Sequence, residues 1–230
     1  MKTIGVLGGI GPQATMDFER RVHEVSQRLL PRSGNTGYPR MVVYYHRGPP
    51  FLFDDDGAPI EPFRANPDFL DAARRLAGWV DFLVIGANAA HRVQRELEET
   101  TGLPVLSMID VVMAEVERRA WRRAGVLAYL DASVYAAPLD ERGIEWASVA
   151  PDMQAQLDEL ILEYQAGNVT PESHAVVAEA LRSVRARNVD GTILGCTELP
   201  LMLGRDAEAP DLINPLALLA EAAVRHAVAP

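Results

Sequence analysis

The chain has 230 residues, of which 48% are hydrophobic and 23% are charged, and its formal net charge is −10. Such a composition is typical of a globular protein, and the length suits one large α/β domain or two lobes of about 110 residues each. The acidic balance argues against nucleic acid and anionic membranes as partners, because both attract basic surfaces. The single cysteine excludes an intramolecular disulfide, and cysteine and histidine are too few and too scattered for a zinc cluster.

No stretch of the chain approaches the roughly 20 apolar residues that cross a bilayer. The short apolar run after Met1 and Lys2 reaches Asp17 without the small-residue cleavage site of a signal peptide. We therefore expect a cytoplasmic protein without a membrane partner.

The first half of the chain alternates predicted strands with predicted helices. Strands are expected over 3–7, 41–45 and 82–85, and helices over 14–30, from 66 onwards and over 89–99. Glycine and proline interrupt the apolar pattern at 8–12 and at 46–50, which predicts a turn and a loop directly after the first two strands.

The second half continues the alternation. Strands are expected over 105–108, 126–129 and 192–194, followed by an apolar pair at 212–213; helices are expected over 109–122, 153–164 and 177–184, after Pro200 and over 216–228. Regular alternation predicts mostly parallel sheets wrapped by helices. We expect the last helix to return to the first lobe.

Residues 80–88 and 189–197 read as two copies of one strand-and-turn unit. The first copy is Val-Asp-Phe-Leu-Val-Ile-Gly-Ala-Asn and the second is Val-Asp-Gly-Thr-Ile-Leu-Gly-Cys-Thr. This repeat favours two lobes, which we predict over 1–102 with 208–230 and over 103–207. The expected fold class is α/β, with two pseudo-symmetric lobes, each a mostly parallel sheet wrapped by helices, and a cleft between them.

Only the second copy carries a thiol, at Cys196. A lone cysteine is most often a small buried hydrophobe, but open α/β sheets place ligand chemistry at strand ends, so its position favours a functional role. We expect the thiol at the mouth of a crevice and at a helix N-terminus, which lowers its pKa, while Glu198 acts in the opposite direction.

Other polar residues also follow predicted strands. His46 and Arg47 end the second strand, and His91 lies near the start of a predicted helix. Histidine can transfer a proton near pH 7, and an arginine can bind a carboxylate through two parallel hydrogen bonds; a packing role for His91 and a surface role for Arg47 stay open. The glycine turn at 8–12 with Thr15 predicts either backbone amides that bind an anion or a plain strand-to-helix connection.

Three segments resemble the aspartate/glutamate racemase superfamily, and its aspartate racemase branch in particular. Residues 7–15 resemble the branch's opening Leu-Gly-Gly-x-Gly-Pro-x-Ala-Thr, and residues 195–198 read Gly-Cys-Thr-Glu as in its second lobe. Asn88 and His91 match a segment that members commonly write Cys-x-Asn-Thr-x-His. In order and spacing, the resemblance covers essentially the whole chain.

The resemblance implies two α/β lobes related by a pseudo-twofold axis, no cofactor, and often a homodimer. It also implies two cysteines on opposite faces of the substrate α-carbon, one removing a proton and the other returning it. Cys196 matches the second cysteine, but Gly86 stands in the place of the first. Gln165 stands where members often have a lysine that helps to hold a substrate carboxylate.

The candidate site combines the motifs with the resemblance. Catalytic roles are predicted for Cys196, His46 and His91, and substrate-binding roles for Gly9, Gly11, Thr15, Arg47, Gly86, Ala87, Asn88, Ala89, Gln165, Thr197 and Glu198. No metal ligand is predicted.

Three functions stay open, in order of preference. The first is a cofactor-independent racemase or epimerase acting on a small amino-dicarboxylate such as aspartate or glutamate, with Cys196 as one acid/base. The second is a one-sided lyase similar to arylmalonate decarboxylase, in which Cys196 protonates one face after carbon dioxide leaves from the other. The third is a non-catalytic carboxylate-binding protein, motivated by the missing second thiol.

Overall fold

The computed structural model describes residues 1–31, 37–168 and 170–229. The chain forms two compact units, Met1–Met108 with Leu216–Pro230, and Ile109–Pro215. The chain passes from the first unit to the second after residue 108 and returns after residue 215, in both cases later than the predicted lobe boundaries. The reason is that the strand at 105–106 pairs within the first unit's sheet and the strand at 212–213 within the second's.

Helices make up most of the regular secondary structure in the described residues. They are α1 (Pro12–Leu29), α2 (Pro67–Ala77), α3 (Gln94–Thr101), α4 (Met108–Arg118), α5 (Ser133–Asp140), α6 (Pro151–Gln165), α7 (Pro171–Arg185), α8 (Leu199–Leu203) and α9 (Pro215–Val228), with short 3-10 helices at Ala89–Val93 and Gly204–Glu208. Within the described ranges, none of them has both the length and the apolar composition that crossing a bilayer needs.

The first unit is built on a parallel sheet of four strands. These are β1 (Ile4–Gly8), β2 (Met41–Tyr45), β3 (Phe82–Ile85) and β4 (Val105–Leu106), in the order β2-β1-β3-β4. β1 and β3 are completely buried because helices cover both faces, as in parallel sheets generally. One core joins Phe18 of α1 to Leu219 of α9, and a second joins Phe69 of α2 to Leu97 of α3. The last helix, α9, belongs to this first unit.

The second unit repeats this arrangement. Its strands are β5 (Arg123–Leu127), β6 (Glu145–Ala147), β7 (Gly191–Leu194) and β8 (Leu212–Ile213), parallel and in the order β6-β5-β7-β8. β3 and β7 thus hold the same place in their sheets, in agreement with the repeat of 80–88 in 189–197. The core packs α6, α7 and α8 together through Leu157, Val177 and Leu199. The predicted α/β class, with two parallel sheets wrapped by helices, is confirmed.

Two elements carry too little sequence signal to be predicted. Helix α5 has Pro138 in its interior, a residue that normally ends a helix. Strand β6 has only three residues, and two of them are exposed. The helix predicted over 89–99 is also different in detail, because it begins as the 3-10 helix Ala89–Val93 and continues as α3.

Candidate active site

The glycine turn after β1 is braced by the Thr15 hydroxyl. This hydroxyl accepts a hydrogen bond from the Gly9 amide at 2.8 Å and donates one to the Gly11 carbonyl at 3.0 Å. Gly9 has a φ of +82°, and a Cβ atom there would lie 2.7 Å from the carbonyl oxygen of His46. Glycine is therefore required at position 9 both by the left-handed backbone and by the close approach of β2. The Gly9 amide and the Thr15 hydroxyl maintain the shape of the turn, and their substrate contacts stay a prediction.

Gly86 lies at the end of β3, where the resemblance places the first thiol. Its amide donates a hydrogen bond to the Leu7 carbonyl at 3.1 Å. Within the first unit, the nearest atoms to a Cβ at Gly86 would be the Leu7 carbonyl oxygen and Thr15 Oγ1, both at 3.9 Å. That is an ordinary contact distance, so the first unit leaves room for a side chain at this position.

His46 lies directly after β2 and next to the glycine turn. Its amide donates a hydrogen bond to the Gly8 carbonyl at 2.8 Å, and its ring packs on Phe69 with the two centroids 5.2 Å apart. The residue is 7% exposed, and in the part of the chain that the structure describes its Nε2 atom has no hydrogen-bond partner. A buried polar atom without a partner costs free energy, and proton transfer by His46 stays a prediction.

His91 makes hydrogen bonds to the backbone through both ring nitrogens. Nε2 accepts from the Met108 amide at 3.0 Å, and Nδ1 lies 3.0 Å from the Ala87 carbonyl oxygen. Because Nε2 accepts, the ring is in the neutral tautomer whose Nδ1 donates to Ala87. These bonds connect the turn after β3 to the start of α4. Proton transfer through His91 would break one of them, so the geometry favours a positioning role.

The other predicted residues of the first unit also lie at the carboxyl ends of its strands. Ala87 and Asn88 connect β3 to the 3-10 helix that begins at Ala89, and Asn88 is 4% exposed. The Arg47 side chain is exposed, and its guanidinium lies over the Tyr45 ring, 5.0 Å from the centroid. The strand ends are adjacent in register, with Gly8 beside Tyr45 and Leu7 beside Ile85. The structure thus brings the predicted residues of this unit to one sheet edge.

In the second unit, a buried carboxylate in the turn after β7 accepts hydrogen bonds from three donors. Cys196 Sγ donates to Glu198 Oε2 at 3.0 Å, and Thr197 Oγ1 donates to the same oxygen at 2.9 Å. Gln165 Nε2, from the last residue of α6, donates to Oε1 at 3.0 Å. Glu198 is only 1% exposed. All four residues predicted for this unit are therefore in one hydrogen-bonded group.

The thiol itself is buried, in contrast to the expected position at the mouth of a crevice. Cys196 is 7% exposed and packs with the apolar core around Leu127 and Leu157. Burial, followed by the charge and the hydrogen bond of Glu198, raises the pKa of the Cys196 thiol well above its usual range. The predicted lowering of this pKa is wrong. Desolvation and a neighbouring carboxylate both disfavour the thiolate, and the helix that follows, α8, begins only at Leu199 and has five residues.

Two further groups near the thiol were missed by the sequence analysis. The pKa of Tyr129, two residues after the end of β5, is raised by burial and by the charges of Asp158 and Cys196. The Asp158 carboxylate accepts hydrogen bonds from the Leu130 amide and from Gln154 Nε2, both at 2.8 Å. The end of the predicted strand over 126–129 could have indicated Tyr129. Asp158 lies within a helix and carries no comparable local signal.

Comparisons with known proteins agree with the fold and with the motifs. The family model of the Asp/Glu/Hydantoin racemases matches residues 7–223. The broad specificity amino-acid racemase RacX of Bacillus subtilis is 26% identical over 225 residues, 96% of each chain.

Among solved structures, an aspartate racemase homologue from Pyrococcus horikoshii OT3 aligns over 100% of both chains, with a TM-score of 0.74 and 22% identity. The aspartate racemase of Picrophilus torridus aligns with a TM-score of 0.75 and 20% identity, over 99% of this chain and 94% of that one. At these identities the likeness to the two structures shows the fold. The family model matches nearly the whole chain, and this match confirms the predicted family. The chain belongs to the Asp/Glu/Hydantoin racemase family and is an enzyme of the racemase type.

Proposed function

We propose that the protein is a cofactor-independent amino-acid racemase or epimerase that acts on a small amino-dicarboxylate of the aspartate or glutamate type. The observation that carries the proposal is the thiol of Cys196 at the end of β7, hydrogen-bonded to the buried carboxylate of Glu198. A thiol that donates to an adjacent carboxylate has a route for its proton, which proton transfer at carbon needs.

The α-proton of an amino acid is weakly acidic, so its removal needs donors that stabilise the developing carbanion. The residues assigned to this role in the first unit are Gly11, Asn88 and Arg47. Arg47 is the cation of the group, and a guanidinium can bind one carboxylate through two parallel hydrogen bonds. It is exposed and has no carboxylate partner among the described residues.

A racemase needs a second proton-transfer group for the other face of the α-carbon. His46 is assigned to this role in preference to His91. Its Nε2 has no partner within the described residues, whereas His91 uses both nitrogens to hold the backbone. The proposed proton-transfer groups are thus Cys196 and His46.

A one-sided reaction is the second candidate, and two observations favour it specifically. The raised pKa of Cys196 keeps the thiol protonated, which suits a proton donor better than a base. The room at Gly86 suits a leaving group on a face that carries no thiol. In this alternative the enzyme decarboxylates a disubstituted malonate, and Cys196 protonates the resulting carbanion.

Exchange of the α-proton in heavy water distinguishes between these functions. The protein is incubated with the L- and D-forms of aspartate and glutamate, and deuterium at the α-carbon and the enantiomer ratio are followed by NMR and chiral chromatography. Conversion of each enantiomer into the other, with deuterium at the α-carbon, supports the racemase. Decarboxylation of disubstituted malonates without exchange of amino acids supports the one-sided lyase. Tight binding of a dicarboxylate in calorimetry, without exchange or decarboxylation, would leave only a binding protein.

The resemblance also motivates two proposals about the protein as a whole. We expect it to be a cytoplasmic homodimer. Sedimentation equilibrium tests the dimer directly, and a single species with the mass of one chain, 25.2 kDa, would contradict it.

A further inference from the structure

Asp158 of α6 belongs to the same strand-end edge as the thiol. The chain that follows β5 bonds to it, since the Leu130 amide donates to Asp158 Oδ1 at 2.8 Å. β5 and β7 are neighbours in the sheet, and the Gly195 amide after β7 donates to the last carbonyl of β5 at 2.6 Å. After burial and Glu198, the charge of Asp158 is a further cause of the raised pKa of Cys196. The carboxylate thus lies close to the reacting sulfur.

One oxygen of the Asp158 carboxylate is held in place, and the other is available to a ligand. Oδ1 accepts hydrogen bonds from the Leu130 amide and from Gln154 Nε2, each at 2.8 Å. Gln154 Nε2 also donates to the Ala128 carbonyl at 2.8 Å, which fixes the orientation of the amide. Within the described residues Oδ2 accepts no hydrogen bond, and the Asp158 side chain is half-buried. A donor on a ligand can therefore bind to Oδ2.

The backbone of Leu130 is strained where it contacts Asp158. Its φ is +65°, in the left-handed region that residues with a side chain rarely adopt. Such a conformation persists where the surrounding structure fixes it, and here the amide of the strained residue is bonded to the carboxylate. Asp158 therefore also has a structural role in this turn, from which a ligand-binding role must be separated by experiment.

The strand-end edge of the second unit carries acidic groups, of which Asp158 and Glu198 act on the thiol. Neither lysine, arginine nor histidine occurs in the segments that follow its strands or in α6, which are 128–133, 148–150, 195–198, 214 and 151–165. Gln165, where the resemblance places a lysine, is neutral and donates to Glu198. Such an edge attracts a positively charged group of a ligand and repels a carboxylate.

An amino acid carries one positive group close to the reacting carbon. Its α-ammonium is bonded directly to the α-carbon, so the partner of the ammonium must lie near the thiol that exchanges the α-proton. An ammonium and a carboxylate form short, charge-assisted hydrogen bonds of about 2.7–2.9 Å. Glu198 already accepts three hydrogen bonds, whereas Asp158 has one oxygen without a partner among the described residues.

We infer that the Asp158 carboxylate binds the α-ammonium group of the substrate through Oδ2 and that Gln154 is the residue that positions it. The inference rests on the proposed function, because it assigns the partner of the amino group in an amino-acid racemase. It adds a selectivity to that function, since the site distinguishes an amino acid from a dicarboxylate that lacks the amino group. A disubstituted malonate has no ammonium group, so Asp158 serves the racemase and not the one-sided lyase.

The test compares each amino acid with the dicarboxylate that lacks its amino group. Binding of racemic aspartate and succinate, and of racemic glutamate and glutarate, is measured by calorimetry for the wild type and for Asp158→Asn. Asparagine has the same shape, and its oxygen can still accept the hydrogen bonds to Oδ1. We expect Asp158→Asn to bind the amino acid at least ~10-fold more weakly, because a charge-assisted hydrogen bond is lost. It should bind the paired dicarboxylate at least as tightly as the wild type.

Glu159→Gln is the matched control, because it removes the same charge at the next residue of α6, which is exposed. It should leave both affinities unchanged. A merely structural role of Asp158 weakens both ligands of a pair equally. An equal loss for both ligands in Asp158→Asn, or an unchanged affinity for the amino acid, would therefore overturn the inference.

Circular dichroism controls for folding, and Gln154→Ala takes the place of Asp158→Asn if that variant does not fold. Gln154→Ala keeps the charge of Asp158 but removes one of the two donors that orient it. It should reduce the preference for the amino acid over its paired dicarboxylate at least ~3-fold. An unchanged preference in Gln154→Ala would speak against the positioning role and against the inference.

The failure of this inference and the failure of the proposed function are distinguishable. If the wild type exchanges the α-proton in heavy water but Asp158→Asn keeps the wild-type preference, the role of Asp158 is wrong and the racemase stands. If the wild type exchanges no amino acid, the proposed function is wrong, and the binding comparison still decides whether Asp158 recognises an ammonium group. A wild type without any preference for the amino acid over its paired dicarboxylate would also overturn the inference.

Discussion

The hydroxyl oxygen of Thr15 lies 3.9 Å from the position that a Cβ atom at Gly86 would occupy. The same hydroxyl braces the glycine turn after β1, so it is fixed in place by hydrogen bonds to Gly9 and Gly11. The end of β3 therefore has space for a small side chain next to a rigid turn. A thiol can be introduced there without repacking the first unit.

We predict that Gly86→Cys folds normally and gains proton-transfer activity. A second thiol would add an acid/base group to the face that the proposal assigns to His46, and such groups contribute about 10²–10⁴-fold. The expected result is at least a ~10-fold higher rate of racemisation, measured by chiral chromatography.

Gly86→Ala is the matched control, because it adds the Cβ atom without the sulfur. An equal rate increase in Gly86→Ala would contradict a role for the thiol. Gly8→Ala provides a contrast in stability, since a Cβ there would lie 2.4 Å from Thr15 Cγ2 and should lower the melting temperature.

The assignment of His46 predicts an asymmetric loss of activity. In His46→Gln, racemisation should fall at least ~100-fold, while the enantiomer whose α-proton faces Cys196 continues to exchange with heavy water. The opposite enantiomer should lose exchange, because the group that removes its proton is absent. NMR of each pure enantiomer measures the two rates separately. Equal rates for both enantiomers would rule out His46 as the second acid/base.

A different result is expected at His91, whose two ring nitrogens hold the Met108 amide and the Ala87 carbonyl. His91→Ala leaves a buried backbone amide without its acceptor, which should lower the free energy of unfolding by about 2–3 kcal/mol. Urea denaturation measures the change. The exposed His23 offers the control, since His23→Ala should stay within ~0.5 kcal/mol of the wild type. A stable but inactive His91→Ala protein would indicate a direct catalytic role.

We predict that the stability of the fold decreases in acid because of Glu115, near the end of α4. Hydrogen bonds from Arg118 and Arg119, at 2.6 and 2.7 Å, lower the pKa of Glu115 from 4.5 to about 2. Because this pKa is lowered in the folded state, the stabilisation is present above pH 4.5 and is lost as the pH falls toward 2. Glu115→Gln should therefore lower the melting temperature near neutral pH and have little effect near pH 2.

Calorimetry at both pH values checks this expectation. The exposed pair of Arg95 and Glu99 is the control, and Glu99→Gln should have little effect at either pH, since exposed ion pairs contribute little. An identical destabilisation by Glu115→Gln at both pH values would contradict the ionic origin of the effect.

Much of the fold could be predicted because the strands are apolar runs and the repeat of 80–88 in 189–197 marks equivalent positions in two sheets. The 3-10 helix at Ala89–Val93 could not be predicted, because over so few residues its side-chain pattern is similar to that of an α-helix. β6 escaped prediction because a three-residue edge strand has almost no periodicity.

The candidate site shows a different limit of sequence reasoning. The turn motif located Cys196 and Glu198, but the state of the thiol depends on burial and on groups from distant segments, such as Asp158 of α6. Likewise, the different roles proposed for His46 and His91 follow from their hydrogen bonds and not from their neighbours in sequence. Such three-dimensional contacts set proton affinity, and a motif does not report them.

The most direct test of the central claim is the incorporation of deuterium at the α-carbon of aspartate and glutamate by the wild type and by Cys196→Ala in heavy water. Cys196 is the proposed acid/base for one face of the α-carbon, so the wild type should label both enantiomers of each amino acid, and Cys196→Ala should lose the labelling of the enantiomer whose α-proton faces Cys196. Labelling of both enantiomers by Cys196→Ala at the wild-type rate would contradict the account.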